Sequence, residues 1–299
     1  MSYLLLLGAG ASYGSVDTSP YCPPLGNKLF EHLEAEGGIA STIPPEMKTT
    51  FRDNFEKGMA LFFDTYPVQT MQFQRELAGY LAKFTPGINN IYFKLLRKIE
   101  PANFIFSSLN YDLLLECCSF HSGYPPYYAI DNNYKPKHIK ILKIHGSSNF
   151  WYDKRVCNIS DSTFSNGYIC DIELPIIPVH QKEAISRAKT ENSMAPSMAI
   201  FAEGKSVRVS DSYVKWQYEQ WVESVKKSSK IFIVGVRVHI VDAHIWEILG
   251  QADAEVHYFG FKTDKPEFDE WTNQSNKENA FFHEANFENA VDIISRLGQ

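Results

Sequence analysis

The sequence is poor in cysteine and has no CxxC pair. Its cysteines are Cys22, Cys117, Cys118, Cys157 and Cys170. A zinc site would need closely spaced Cys or His pairs, so we expect no metal. The odd number of cysteines and the expected absence of a signal peptide favour free thiols in a reducing compartment, and we predict a cytoplasmic protein.

Long apolar runs and runs of basic residues are also absent. No stretch approaches the roughly 20 apolar residues that a membrane-spanning helix needs, so we expect no membrane partner. The apolar run 3–7 is short and meets a glycine loop at once, which favours a buried strand over a signal peptide. With 29 Lys and Arg against 35 Asp and Glu, the net charge is −6, and direct nucleic-acid binding is not expected.

Six short apolar runs predict strands that are buried on both faces, as in a parallel sheet. Helical patterns lie between most of them, which favours an α/β, Rossmann-like doubly wound parallel sheet. We expect one domain over residues 1–299. The predicted strands are residues 3–7, 103–109, 139–144, 231–235, 255–259 and 280–283.

The helical patterns between the first two strands are too many for a single crossover. They cover residues 25–33, 47–62, 71–84 and 91–99. We therefore predict a helical insertion over residues 40–100. Residues 151–210 are rich in Asn, Ser, Asp and Pro and are predicted to form a second, less regular excursion.

Polar or glycine-bearing turns follow four of the predicted strands. The first contains Gly8, Ala9, Gly10, Ala11 and Ser12, and glycines there allow close backbone approach to a phosphate. The others are Ser108 to Asp112, His145-Gly146-Ser147 and Gly235-Val236-Arg237. In an open parallel sheet such strand ends line one crevice, where ligands bind.

Each of these motifs also has a purely structural interpretation. The glycine loop would be a tight turn, Asn110 and Asp112 would cap the next helix, and His145 would be a hydrogen-bonded turn residue. Asp242 would only cap the helix 243–249. Glu116 and His121 are expected on a solvated helix face. The absence of a second strand after the glycine loop argues against a simple dehydrogenase.

Taken together and in order, Gly8-Ala9-Gly10-Ala11-Ser12, Asn110-Tyr111-Asp112 and His145-Gly146-Ser147 resemble the sirtuin-like NAD-consuming domain. The NYD and HGS variant is typical of the prokaryotic branch found in anti-phage defence. The tryptophan-rich helix 216–221, the strand ending at Gly235 and Asp242 also fit that branch. The resemblance spans about residues 4 to 297.

The resemblance implies a role for each matching residue. Gly8, Ala9, Gly10, Ala11 and Ser12 would hold the phosphates and nearby ribose. Asn110 would orient the nicotinamide ribose or the attacking water, Asp112 would help shape the nicotinamide pocket, and His145 would act on the ribose hydroxyls as general base. Gly235 and its neighbours Arg237 and Asp242 would bind the adenosine half of NAD.

Two departures from the family concern the reaction. Deacylating sirtuins usually carry a zinc module with two cysteine pairs and a longer acidic-aromatic signature after the glycine loop, and this chain has neither. Both departures favour hydrolysis of NAD over deacylation of a protein lysine. The alternatives are a non-catalytic sensor of NAD or ADP-ribose and an NAD-dependent deacylase.

The resemblance also implies partners, since the defence proteins of this branch usually add a sensor domain or rely on a second chain. We expect a HerA-type ATPase as partner within a large homo-oligomeric assembly. An Argonaute-type partner is the alternative. Nothing in the composition itself indicates either partner.

Overall fold

The computed structural model describes residues 2–128, 137–156, 161–165, 168–199, 209–239 and 242–298. A seven-stranded sheet runs through them in the order β13-β12-β11-β1-β4-β6-β5, and all its pairings are parallel. The strands are β1 Tyr3–Leu7, β2 Thr18–Ser19, β3 Thr85–Pro86, β4 Phe104–Ser108, β5 Pro126–Tyr127, β6 Ile139–Lys143, β7 Phe150–Tyr152, β8 Asp161–Ser165, β9 Tyr168–Glu173, β10 Ile176–Pro178, β11 Lys230–Val234, β12 Glu255–Gly260 and β13 Ala280–Glu284.

Helices connect these strands and cover both faces of the sheet. They are α1 Ala9–Tyr13, α2 Gly26–Glu36, α3 Gly38–Thr42, α4 Pro45–Asp53, α5 Phe55–Thr65, α6 Thr70–Ala82, α7 Ile91–Lys98, α8 Leu114–His121, α9 Gln181–Thr190, α10 Asp211–Lys227, α11 Ala243–Gly250, α12 Lys265–Ser275 and α13 Phe287–Leu297. None of the described helices is long and apolar enough to cross a membrane.

The central strand β1 is buried along its whole length, because apolar layers cover the sheet on both sides. Leu5 and Leu7 belong to the core on one face, together with Phe106 of β4. Leu4 and Leu6 belong to the core on the other face. This arrangement confirms the predicted doubly wound, Rossmann-like α/β sheet, and all six predicted strands are present.

The direction of chain progression reverses beside β1. From β1 the chain moves to β4, β5 and β6 on one side, and it then returns to β11 on the other side before reaching β12 and β13. Loops that leave β1 and β11 therefore run in opposite directions. In sheets of this type the crevice outside such a switch point is where ligands bind.

Helices α3 to α7 occupy the predicted insertion at residues 40–100. The single helix predicted over residues 47–62 is wrong, since Asn54 ends α4 and its side chain accepts a bond from the Lys57 amide at 3.0 Å to cap α5. Phe51, Phe62 and Phe73 share one core with β1. The helices thus pack on the sheet's own core, and their description as an insertion stays a prediction.

The second excursion, residues 151–210, is irregular, as expected. Its described strands form short antiparallel pairs. β7 pairs with β10, and β8 pairs with β9. The sequence did not predict α9, which packs against α6. Among cysteines with described side chains, Cys22, Cys117 and Cys118 are free thiols.

Candidate functional site

The loop after β1 packs against the loop after β11, and glycine is required on both sides of this contact. The amides of Gly8 and Gly10 donate to the carbonyls of Val234 and Gly235, each at 3.0 Å. A Cβ on Gly8 would lie 2.4 Å from the Gly235 oxygen, and one on Gly235 would lie 2.1 Å from the Ala11 nitrogen. Gly235 also has a φ of +67°, which favours glycine. The glycines thus let two backbone segments meet at the switch point.

Side chains and amides of the β1 loop are already partly engaged within the protein. Ala9 is exposed, whereas Ala11 and Ser12 are buried. The amides of Gly8, Gly10 and Ala11 all donate to backbone carbonyls. The role of this loop in holding phosphates stays a prediction.

Asn110 joins the end of β4 to the loop after β1. Its Nδ2 atom donates to the Gly8 carbonyl at 2.8 Å and to the Ser12 hydroxyl at 2.9 Å. The Ser12 oxygen in turn lies 3.1 Å from the Tyr92 hydroxyl. Within the described part of the chain, no hydrogen bond reaches the Asn110 Oδ1 atom. The side chain therefore does not cap the following helix, and its Oδ1 atom accepts no bond from the residues that the structure describes.

Asp112 does cap the following helix, because its Oδ1 atom accepts a bond from the Leu114 amide at 3.1 Å. Its backbone carbonyl accepts a second bond, from the Lys143 Nζ at 2.8 Å. Lys143 lies at the end of β6, so this bond ties the β4 loop to the next strand. The structural interpretation of Asp112 is therefore correct for its carboxylate.

The expectation that Glu116 lies on a solvated helix face is wrong. Glu116 is 6% exposed, and its Oε1 atom lies 2.9 Å from the Nζ of the fully buried Lys143. Glu116 is buried because its helix, α8, packs against α7, β3 and β5. Burial raises the pKa of Glu116, and the Lys143 ammonium opposes that shift. His121, at the end of the same helix, is exposed as expected.

His145, directly after β6, is buried and faces a second histidine that the sequence analysis missed. Its Nε2 atom lies 3.2 Å from the Nε2 atom of His244 in α11. Asp242 precedes this helix without a side-chain capping bond, so the capping interpretation does not describe its carboxylate. One nitrogen of each histidine and one Asp242 oxygen all lie within 4.8 Å of one another. The only sequence signal for His244 was its position two residues after Asp242.

A buried segment, residues 195–199, holds the turn after His145. The Ala199 amide donates to the His145 carbonyl at 2.8 Å, and the Ser147 amide donates to the Ser197 carbonyl at 3.1 Å. Gly146 has a φ of +81°, and a Cβ there would lie 2.3 Å from the Ser197 oxygen. The segment 195–199 therefore holds the backbone of the His145 turn.

Tyr111 contacts the segment 195–199 and is also influenced by the carboxylate of Asp242. Its hydroxyl donates to the Ala199 carbonyl. Burial raises the pKa of Tyr111 well above its usual range, and the negative charges of Glu56 and Asp242 raise it further. Tyr111 is thus a neutral hydrogen-bond donor near neutral pH, and Asp242 is near enough to influence it.

Arg237 is exposed and pairs with a carboxylate of α12. Its side chain is 71% exposed and lies 3.1 Å from the Oε1 atom of Glu267 in α12. This pairing lowers the pKa of Glu267. Contact between Arg237 and the adenosine half of a ligand stays a prediction.

The similarity of this chain to known proteins lies in its three-dimensional structure. No family model and no curated protein matches the sequence. A solved structure described as "The Structural basis of Sirtuin Substrate Affinity" matches with a TM-score of 0.52 and 14% identity, over 100% of this chain and 94% of that chain. Another, "Structural Basis for the Mechanism and Regulation of Sir2 Enzymes", matches with a TM-score of 0.47 and 14% identity, over 99% and 90%.

The first of these similarities shows that the fold is sirtuin-like. It covers the whole of this chain. The sequence resemblance and the fold therefore agree, and the reaction has to be argued from the residues at the strand ends.

Proposed function

We propose that this chain is an NAD glycohydrolase, which uses water to split NAD into nicotinamide and ADP-ribose. The observation that carries the proposal is the placement of Asn110 and His145. They follow adjacent strands, β4 and β6, next to the glycine loop after β1. These are the three strand-end features on which the sirtuin-like resemblance rests.

Asn110 is suited to position a reacting group. Because the Gly8 carbonyl and the Ser12 hydroxyl hold its Nδ2 atom, its Oδ1 atom points in a fixed direction. An amide oxygen orients water or a ribose hydroxyl without adding charge. We assign Asn110 to the nicotinamide ribose or the attacking water, and Asp112 to the pocket around nicotinamide.

His145 is suited to accept a proton, because imidazole is the side chain that changes charge near neutral pH. Cleavage breaks the bond between nicotinamide and the ribose C1′ atom and develops positive charge on the ribose. The oxygen of water then forms the new bond to C1′. One proton of this water stays on the new hydroxyl group, and a base accepts the other. We assign this base role to His145. Its Nε2 atom lies 3.2 Å from the Nε2 atom of His244, which is the neighbouring titratable group.

The remaining predicted contacts complete the binding mode. The loop Gly8 to Ser12 would lie along the phosphates, with Gly235 and Arg237 on the adenosine side. Asp242 lies beside His145 and His244, so we now assign its carboxylate to the reacting half of the crevice.

We further propose that the reaction depletes cellular NAD in anti-phage defence, under control of a HerA-type ATPase in an oligomeric assembly. This part rests on the sequence resemblance to the prokaryotic defence branch. An NAD-dependent deacylase is the second candidate, because the similar solved structures are described as sirtuins.

The test is to incubate the full chain with NAD, alone and together with the ATPase of its genomic neighbourhood, and to follow nicotinamide by chromatography. We expect release without any peptide, and loss of release in His145→Ala and Asn110→Ala while both variants remain folded. The exposed His121→Ala is the matched control and should keep full activity.

Three outcomes would contradict the proposal. Release that requires an acetylated peptide would identify a deacylase, and tight NAD binding by calorimetry without turnover would identify a sensor. Full activity in either the His145 or the Asn110 variant would show that the roles are wrongly assigned.

A further inference from the structure

Three side chains with metal-binding atoms converge at the carboxyl end of β6. His145 comes from the turn after that strand, and Asp242 and His244 come from the start of α11. One nitrogen of each histidine and one carboxylate oxygen lie within 4.8 Å of one another. This is the one group of three such side chains in the part of the chain that the structure describes.

The spacing of the two histidines matches a shared ion. In a tetrahedral site with Zn–N distances of about 2.0–2.1 Å, two ligand nitrogens lie about 3.3 Å apart. The Nε2 atoms of His145 and His244 are 3.2 Å apart. One Asp242 carboxylate oxygen lies within 4.8 Å of a nitrogen of each histidine, so it is available as a third ligand.

Both histidines are held through their backbones. The Ala199 amide donates to the His145 carbonyl at 2.8 Å, and the Tyr218 hydroxyl donates to the His244 carbonyl at 2.9 Å. His145 is buried, while Asp242 and His244 are partly exposed. Backbone hydrogen bonds therefore hold both histidines in position. Dissolved ions can reach the cluster from the side on which Asp242 and His244 lie.

The ligand types define the class of ion. Two imidazoles and one carboxylate suit first-row transition metals such as Zn²⁺ and Co²⁺, whereas Mg²⁺ and Ca²⁺ prefer sites made only of oxygen atoms. Three protein ligands also leave a fourth position for water or another small ligand.

We propose that His145, Asp242 and His244 form a binding site for a divalent transition metal ion, and that the bound ion stops NAD cleavage. Inhibition follows because the ion takes the His145 Nε2 atom, which then no longer accepts a proton. The binding site stands independently of the enzyme activity, whereas the inhibition rests on the proposed function.

The binding test uses the full chain after chelator treatment and dialysis, titrated with CoCl₂ and ZnCl₂. We expect Co²⁺ to give the visible absorption of a four-coordinate site, and ZnCl₂ to displace it with one-to-one stoichiometry in calorimetry. His244→Ala should weaken binding more than about 100-fold, because loss of an outer-shell partner alone weakens metal sites by about 10–100-fold. His121→Ala is the control for non-specific binding to histidine.

His244→Gln provides a second variant if alanine disturbs the fold, since glutamine retains hydrogen bonding and is a poor zinc ligand. Unchanged Co²⁺ absorption in both folded variants would overturn the proposed site. Zn²⁺ binding without loss of nicotinamide release, in a chain that cleaves NAD, would overturn the inhibition. If the chain cleaves no NAD, the titrations still decide the metal site on their own.

Discussion

At the residue scale, the strand-end side chains hold one another in place. Asn110 shares its Nδ2 atom between the Gly8 carbonyl and the Ser12 hydroxyl, so rotation of its amide would break two hydrogen bonds. The sequence placed Asn110 after a strand. Its two bonds follow from the pairing of β1 with β4, which no local pattern reveals.

Substitution Ser12→Ala should lower the rate of NAD cleavage about fivefold, the equivalent of one hydrogen bond worth about 1 kcal/mol. The reason is that Asn110 keeps only its bond to Gly8. Nicotinamide release measures the rate. Tyr92→Phe is the control, because it removes the hydroxyl 3.1 Å from Ser12 and leaves Asn110 untouched. An equal loss in both variants would show that Ser12 does not act through Asn110.

Substitution Lys143→Met should lower the free energy of unfolding by about 3–5 kcal/mol, since it leaves Glu116 buried without its ion pair. Urea unfolding measures this change. Adding Glu116→Leu should recover much of the loss. Lys226→Met, which removes an exposed pair with Glu223, is the control and should cost about 0–1 kcal/mol. A loss for Lys143→Met as small as that of Lys226→Met would contradict the prediction.

At the scale of elements, the sequence predicted the strands that carry short apolar runs, including the only partly buried β13. The six predicted strands were found because most of their residues are apolar, as in β1, whereas β8 and β9 were not predicted. Helices α9 and α12 were missed because they present mostly polar residues. In α12 only Phe268 and Trp271 are buried, which is too few for a clear helical period.

The contact between the loops after β1 and β11 leads to a paired glycine experiment. Gly235 and Gly123 both have positive φ, but a Cβ meets the Ala11 nitrogen at the first position and nothing within 4 Å at the second. Gly235→Ala should therefore lower the free energy of unfolding by about 1–3 kcal/mol more than Gly123→Ala. Urea unfolding of the two variants checks this. Equal losses would show that the close approach costs nothing.

At the scale of the whole molecule, the candidate site depends on contacts between distant parts of the chain. His145 and His244 are 99 residues apart in sequence, and they meet because the chain returns from β6 across β1 to β11. Local spacing therefore predicted no metal site. The same limitation explains Glu116, whose partner Lys143 belongs to a different element.

The opposite edge of the sheet holds a second histidine pair with no predicted catalytic role. His257 is stacked on Phe232 and Phe281, and its Nδ1 atom lies 3.0 Å from the Nε2 atom of His283. Burial lowers the pKa of His257. His283 and Lys230 lower it further, and Glu255 opposes the shift. Burial also lowers the pKa of His283, with a contribution from Arg296.

These lowered pKa values should make the protein less stable in mild acid. An unfolded histidine binds a proton near pH 6.5, whereas folded His257 binds one only at lower pH. Below about pH 6.5 the unfolded state therefore holds more protons, and the free energy of unfolding falls. Urea unfolding between about pH 7.5 and 5.5 measures this slope.

His257→Phe, which preserves the ring stacking, should flatten that slope, and the exposed His121→Ala should leave it unchanged. An identical pH slope in wild type and His257→Phe would show that His257 does not contribute.

The strand order also determines when the crevice is completed during synthesis. β1 ends at Leu7, yet its neighbour β11 begins only at Lys230. Gly8 can meet Gly235, and His145 can meet His244, only after β11 and α11 have left the ribosome. A nascent chain that ends earlier has β1, β4 and β6 without the second wall. Under the proposed function, this order of assembly confines NAD cleavage to chains whose synthesis has passed α11.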